Sequence, residues 1–284
     1  MPKVSIVIPT KNEEKFIGKT LDYLYKQSFN DFEIIISDGN SKDNTEKVVN
    51  KLIPKFEKRG IKLSFITTLM KGVSVGRNLG AEIAKGRYIY FLDADVYPGR
   101  NFIKNTITEF KKRRLSIATV KSRSSDNLLK NKTFHALSNN NISFLQFTPV
   151  PAAYGHCIIC SKNAFNKIGG FDPDIYLAED VTFVIRGRKL NLRFRVLNSE
   201  KIVVSTRRLN SEGTLNVTIK YILCALYWIS KGEGPKHGTA EKLLKYKMGH
   251  GYLNMKDNKC KIILKRIKKI VDQNKTFYLK KLNK

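Results

Sequence analysis

Residues 4–8 form a short, almost wholly apolar run closed by Pro9. From Glu13 to Gln27 the apolar positions Phe16, Ile17, Leu21, Leu24 and Tyr25 then fall at helical spacing. A strand followed by a helix is predicted, and the unit recurs. Strands at 32–37, 61–67 and 88–92 alternate with helices at 43–56, opened by Ser41 or Asp43 as cap, and at 73–85. Such alternation predicts an α/β fold with a mostly parallel sheet and helices on both faces.

Between 123 and 151 the pattern weakens into Ser, Asn and Lys with scattered aromatics, which predicts a long excursion over one sheet edge, an acceptor-side loop in an enzyme. Regularity returns with a strand at 154–160, a helix from Ser161, the turn Gly169-Gly170-Phe171-Asp172, a helix near Glu179, and strands at 192–197 and 201–205. From 209 the character changes. An apolar helix at 215–229, interrupted by Lys220, is too short and too charged for a membrane span. Beyond it, residues 256–284 carry a net charge of +9, with Ile262, Ile263, Ile267, Ile270 and Val271 on one helical face. Two regions follow: a catalytic domain at 1–208 and a helical, basic appendage at 209–284 that is expected to associate with an anionic membrane surface.

With 284 residues, 42% of them hydrophobic, the chain can bury a substantial core. Its net charge of +29 exceeds what solubility requires and points to an anionic partner: lipid headgroups, nucleic acid or a phosphorylated substrate. Nothing in the first residues resembles a signal peptide, so a cytoplasmic location is expected, peripheral on the cytoplasmic face of the membrane if the appendage binds there. Cys157 and Cys160 have redox or zinc spacing, but no second ligand pair accompanies them. On a strand they would point to opposite faces, as buried structural thiols.

The most informative short motif is Asp93-Ala94-Asp95, directly after the apolar strand at 88–92. Alternate carboxylates at a rigid strand end suit a hard divalent cation such as Mn²⁺ or Mg²⁺. No Lys or Arg lies between Tyr88 and Gly99 to stand in for that charge. Two solvated turn carboxylates are the alternative. The loops at Pro9-Thr10-Lys11-Asn12-Glu13-Glu14 and Ser37-Asp38-Gly39-Asn40-Ser41 also follow strands, and open α/β sheets bind ligands at that edge. Asp38 suits hydrogen bonds from a nucleotide base, whereas Ser41 equally suits a helix cap.

The sequence resembles the family 2 glycosyltransferases of GT-A fold over roughly residues 2–208. Four separated blocks carry the resemblance in the family's order: residues 4–13; residues 32–43; residues 72–80, leading into Asp93-Ala94-Asp95; and Gly169-Gly170-Phe171-Asp172 followed by Glu179-Asp180. The resemblance implies that Pro9, Thr10, Asn12, Glu13 and Asp38, with Ser41 beside them, hold the nucleoside of a nucleotide-sugar donor. It implies that Asp93 and Asp95 meet ribose and metal, that Arg77 approaches the nucleotide, and that Asp180 is the catalytic base. Arg77 has a solvated helix charge as its alternative.

Breaking the bond between anomeric carbon and phosphate leaves a nucleoside diphosphate, whose charge a metal neutralises. A hydroxyl acceptor, glycan or lipid-linked, attacks once Asp180 takes its proton, and one direct displacement inverts the anomeric centre. Glu179 and His156 are candidates for the acceptor side, although a lone strand His is more often structural. Arg207 and Arg208 are candidates for diphosphate contact, with a solvated charge run as their alternative. The chain lacks the Gln-x-x-Arg-Trp motif of processive members, which favours transfer of a single sugar, and a UDP-sugar is the favoured donor. The rival enzyme, a sugar-phosphate nucleotidyltransferase, would need a Gly-rich phosphate loop that Pro9 to Glu13 does not supply. The rival of another class, a nucleic-acid-binding protein, has the charge on its side but no recognised motif.

Overall fold

The computed structural model describes residues 1–236, apart from 71, 149 and 233, together with residue 239. In chain order it runs β1 (Val4–Thr10), α1 (Ile17–Tyr25), β2 (Phe32–Asp38), α2 (Thr45–Asn50), α3 (Ile53–Glu57), β3 (Leu63–Thr67), α4 (Val73–Ile83), β4 (Tyr88–Leu92) and β5 (Val96–Tyr97). It continues with α5 (Phe102–Lys112), β6 (Ile117–Ser124), α6 (Leu129–Leu145), β7 (Cys157–Ser161), α7 (Lys162–Ile168), α8 (Glu179–Lys189), β8 (Phe194–Val204), α9 (Arg207–Glu212) and α10 (Thr214–Lys231). The strands form one sheet in the order β3-β2-β1-β4-β7-β6-β8-β5. Its first half, β3-β2-β1-β4, is parallel; β7 then runs antiparallel to both neighbours, and β5 antiparallel to β8.

The β1, β2 and β4 strands are apolar on both faces because helices cover both sides. Cys157 and Cys160 lie in the two different core clusters, on opposite faces of the sheet as the strand period requires, and burial raises both thiols above their ordinary range. Neither is poised for redox or metal chemistry.

Three expectations are corrected. The helix predicted at 43–56 is two short helices, α2 and α3, because Pro54 lacks the N–H that a continuous helix would bond. Its cap is neither Ser41 nor Asp43 but Asn44, although Asp43 Oδ1 does accept from Thr45 N–H at 3.0 Å. The strands predicted at 192–197 and 201–205 are one strand, β8, with an irregularity where Leu197 and Lys201 face consecutive β6 residues. The excursion predicted at 123–151 contains the helix α6, which buries Asn131, His135, Asn139 and Ile142.

The α10 helix packs one side on the domain, through Ile219, Leu223 and Cys224 against Leu177 and Ala178. No helix among the described residues is long and apolar enough to cross a membrane. The basic segment at 256–284 lies outside the described residues.

The α4 helix sits unusually close to β1, since a methyl built at Gly80 would lie 2.3 Å from Val7 Cγ1. Gly80→Ala should therefore push α4 off the sheet and cost about 1–3 kcal/mol, read as a lower denaturant midpoint. A midpoint equal to wild type would show that this approach is not required.

Candidate active site

The Asp93-Ala94-Asp95 backbone is fixed from three directions. Asp93 N–H donates to His156 C=O at 3.3 Å, Thr20 Oγ1 donates to Ala94 C=O at 2.6 Å, and Ser205 N–H donates to Asp95 C=O at 3.0 Å. The two carboxylates therefore stand at the carboxyl end of β4 with their positions set by α1, β7 and the end of β8.

The first two loops interlock. Ser41 N–H and Thr10 Oγ1 donate to Asp38 at 2.6 and 2.8 Å, while Ser41 Oγ accepts from Asn12 N–H at 2.8 Å. Asn12 Oδ1 in turn accepts from Lys42 N–H, and Asn12 adopts φ 56°, the left-handed region that Asn tolerates. Asp38 is buried by these bonds, so it organises the loop beside the cleft; Pro9 adjoins Gly76 of α4.

Arg77 is no solvated charge. It is 2% exposed, and its Nη1 lies 2.8 Å from Glu179 Oε1, its Nη2 3.3 Å from Asp93 Oδ1 and 2.9 Å from Gly155 C=O. It bridges the strand-end carboxylate and the start of α8. Asn78, next on α4, both donates to and accepts from the Phe171 backbone at 2.8 Å, and the Arg77 guanidinium lies over the Phe171 ring at 5.1 Å. The Gly169-Gly170-Phe171-Asp172 turn thus anchors α4, with Gly169 at φ 79° closing α7.

Arg207 is likewise committed. Its Nη1 and Nη2 make a fork on Glu13, each at 2.7 Å, its Nε reaches Asp95 Oδ2 at 2.9 Å, and it lies over the Phe16 ring at 4.3 Å. Arg208 pairs with Glu212 at 3.2 Å. The pair is therefore not a solvated charge run, and although the stretch from Tyr88 to Gly99 holds no basic residue, Arg77 and Arg207 arrive beside Asp93 and Asp95 from distant segments.

Even so, five carboxylates (Glu13, Asp93, Asp95, Glu179 and Asp180) surround two guanidiniums. Burial pushes Asp95 up to about 7 and raises Glu13, despite Arg207. Arginine alone leaves negative charge uncompensated here. No group of three or more metal-ligating side chains occurs among the described residues. A hard divalent ion held by two carboxylates and completed by substrate phosphates fits this arrangement, with Asp93 the more open ligand at 38% side-chain exposure against 14% for Asp95.

Asp180 lies in the first turn of α8, where Ala178 caps the helix at φ 63° and Val181 N–H donates to Asp180 Oδ1 at 2.8 Å. Burial and then the Glu179 charge raise its carboxyl above the usual range, against Arg77. Glu179 itself is turned onto Arg77. His156 does not face an acceptor: its Nε2 is buried without a partner, its ring stacks on Tyr154 at 4.7 Å, and burial drives it down to about 3, a neutral packing group.

Some residues of the site had no signal in the sequence. A methyl on Gly155 would lie 3.0 Å from Asp180 Oδ2 and 3.3 Å from Arg77 Nη2, so glycine makes room for both. Asp126 accepts from Thr206, Asn210, Asn131 and Ser124, fixing the segment that delivers Arg207. Tyr221 and Cys224 of α10 lie within electrostatic range of Asp180.

Comparisons with known proteins agree with this geometry. The model of the family "Glycosyl transferase family 2" matches residues 5–169. The chain is 38% identical over 95 residues to the GalNAc(5)-diNAcBac-PP-undecaprenol beta-1,3-glucosyltransferase of Campylobacter jejuni, covering 34% of this chain and 30% of that one. It is 36% identical over 107 residues to WfaP of Escherichia coli, a UDP-Glc:alpha-D-GlcNAc-diphosphoundecaprenol beta-1,3-glucosyltransferase, covering 38% and 41%. The match thus spans less than half of either relative's length. Among solved structures, the mannosyltransferase PcManGT of Pyrobaculum calidifontis, in complex with GDP-Man and Mn²⁺, superposes with a TM-score of 0.67 at 17% identity, over 86% of this chain and 68% of that one. S. aureus TarS 1–349, in complex with UDP-GlcNAc, superposes at 0.58 and 19% identity, over 85% and 70%. The fold is that of GT-A glycosyltransferases, and the chain belongs to glycosyl transferase family 2.

Proposed function

We propose that the protein transfers a single sugar from a nucleotide-sugar donor, a UDP-sugar in preference, to a hydroxyl of a lipid-linked or glycan acceptor, with inversion at the anomeric carbon. The observation that carries this reading is Asp180, a carboxyl raised by burial that sits beside the Arg77 guanidinium, which itself pairs with Glu179 and the strand-end Asp93. A base of that strength at the rim of a donor cleft suits proton removal from a hydroxyl. Two relatives support the acceptor class, since both act on undecaprenol-linked sugars.

In this reading the interlocked loops of Thr10, Asn12, Asp38 and Ser41 line the nucleoside side, and Asp93 meets the ribose. Asp180 removes the acceptor proton as the new bond to the anomeric carbon forms and the bond to the diphosphate oxygen breaks on the opposite face. Glu179 keeps Arg77 charged and in place, and so sets the position of Asp93 relative to Asp180. A divalent cation held by Asp93 and Asp95 supplies charge neutralisation at the leaving diphosphate when bound. Arg207 holds the Glu13 loop against Asp95.

Incubating the protein with a panel of nucleotide sugars tests the reaction class. Slow release of nucleoside diphosphate without acceptor is expected, and pyrophosphate formation from a sugar phosphate and a nucleoside triphosphate would point to a nucleotidyltransferase instead. Excess chelator should lower turnover at least about tenfold and weaken donor binding in calorimetry, with both restored by Mn²⁺. Undiminished turnover and donor affinity in chelator would remove the metal from this account.

A further inference from the structure

We propose that the outer face of α6, with the arginine cluster at its C-terminal end, docks on an anionic lipid bilayer. The helix is inverted. Its inward face carries Asn131, His135 and Asn139 beside a single apolar residue, Ile142, while Leu129, Leu137 and Phe144 stand outward at 79%, 65% and 70% exposure, followed by Phe147 at 69%. At the helical period the three outward residues within α6 share a sector about 80° wide. Apolar surface grouped in this way marks an interaction face.

The inversion is held in place. Ser122 N–H donates to Asn139 Oδ1 at 2.9 Å and Asn139 Nδ2 donates back to Ser122 C=O at 2.8 Å. His135 Nδ1 bonds Ser122 Oγ at 2.7 Å, and Asn131 Nδ2 donates to Asp126 and Asn210, each at 2.9 Å. Rolling α6 to hide its leucines would leave these buried groups unbonded, each with its desolvation uncompensated.

Charge selects the occupant. No Asp or Glu occurs between Asp126 and Asp172, and Lys130 and Lys132 flank the apolar stripe at its start. At its end the Arg195 guanidinium lies over the Phe147 ring at 5.3 Å, and burial and then the like charges of Arg188, Arg113 and Arg193 lower its proton affinity. Arg113 has Glu109 as a partner. A second copy of the chain, or its own basic segment at 256–284, would bring like charge to this face; anionic headgroups complement it while acyl chains take the leucines and phenylalanines.

Beside this face, the half-buried Phe134 of α6 meets Tyr221 of α10 at 6.3 Å between ring centroids, and Tyr221 in turn interacts electrostatically with Asp180. A bilayer seated on α6 would deliver a lipid-linked acceptor beside Asp180, a consequence that rests on the proposed reaction, whereas the docking itself does not.

Flotation of the full chain with vesicles tests the docking. Wild type should float with equimolar phosphatidylcholine and phosphatidylglycerol and far less with phosphatidylcholine alone. Leu137→Glu combined with Phe144→Glu should lower vesicle partition at least about tenfold with donor hydrolysis and unfolding midpoint unchanged. Lys130→Glu combined with Lys132→Glu, which leaves the apolar stripe intact, should lower it several-fold and so carries the test if the first variant folds poorly. Three results would each overturn the proposal: flotation of both double variants like wild type, binding that ignores phosphatidylglycerol, or a wild-type dimer that the Leu137/Phe144 variant dissolves. Loss of vesicle binding with donor hydrolysis intact bears on docking alone. Absence of donor hydrolysis in wild type bears on the proposed reaction alone.

Discussion

Replacing Asp180 by Asn should lower kcat by about 10²–10⁴-fold, the usual contribution of a general base, with donor affinity nearly unchanged. Asn keeps the shape and can still accept from Val181 N–H, so the helix start is preserved. The wild-type pH profile should carry an acid limb displaced upward from the ordinary carboxylate range, because burial and Glu179 raise Asp180 and only its ionised form accepts a proton. Arg77 and Asp93 act on the same carboxyl, and Tyr221 and Cys224 of α10 interact with it electrostatically. The variant should lose that limb.

Stability should move the other way. A carboxyl raised in the folded state contributes stability that is present below its unfolded pKa and lost as pH rises through the folded value. Above neutral pH, then, wild type bears an ionised carboxylate that the fold disfavours and the Asn variant does not, so its Tm should rise. Wild-type turnover by Asp180→Asn on a defined acceptor would remove the base assignment. A fall in Tm with turnover would instead make Asp180 a structural group.

Arg77→Met should be the most destabilising single change at this site, by about 3–5 kcal/mol at neutral pH, since it leaves Glu179 and Asp93 facing each other and Asp180 without their shared cation. Met keeps the aliphatic stem but not the guanidinium over Phe171, so the loss has a packing part beside the electrostatic one, and only the electrostatic part depends on pH. Lowering the pH protonates Asp180, which burial raises, and should recover part of it, whereas Arg77→Lys should lose less, keeping the charge without the planar fork. Urea midpoints at pH 8 and pH 5 decide the matter: equal losses at both would assign Arg77 a packing role.

The parallel half of the sheet was legible in the sequence because β1, β2 and β4 are buried on both faces and show as near-continuous apolar runs. Helix α1 was legible because Ile17, Thr20, Leu21 and Leu24 mark one buried face. Helix α6 was not. Three of its four buried residues are Asn and His, and Leu and Phe stand outward among its exposed ones, so a rule that places apolar residues inside reads it as a loop.

By itself the sequence determined the family, through ordered motif blocks, and the carboxylates at the end of β4, because a strand followed by Asp93-Ala94-Asp95 is local information. It could not determine the cations beside them. Glu179 stands 102 positions from Arg77, and Glu13 stands 194 from Arg207. Whether a charged side chain is solvated, bound to a partner or turned toward a substrate depends on which segments the fold brings within a few ångströms. Coulomb attraction in a desolvated site falls off over that distance, and no spacing along the chain encodes it. The tertiary structure decided that Arg77 joins the carboxyl end of the donor strand to Asp180's helix. The same folding turned the polar face of α6 inward, because Ser122 and Asp126 supply hydrogen bonds there that water would otherwise have to make.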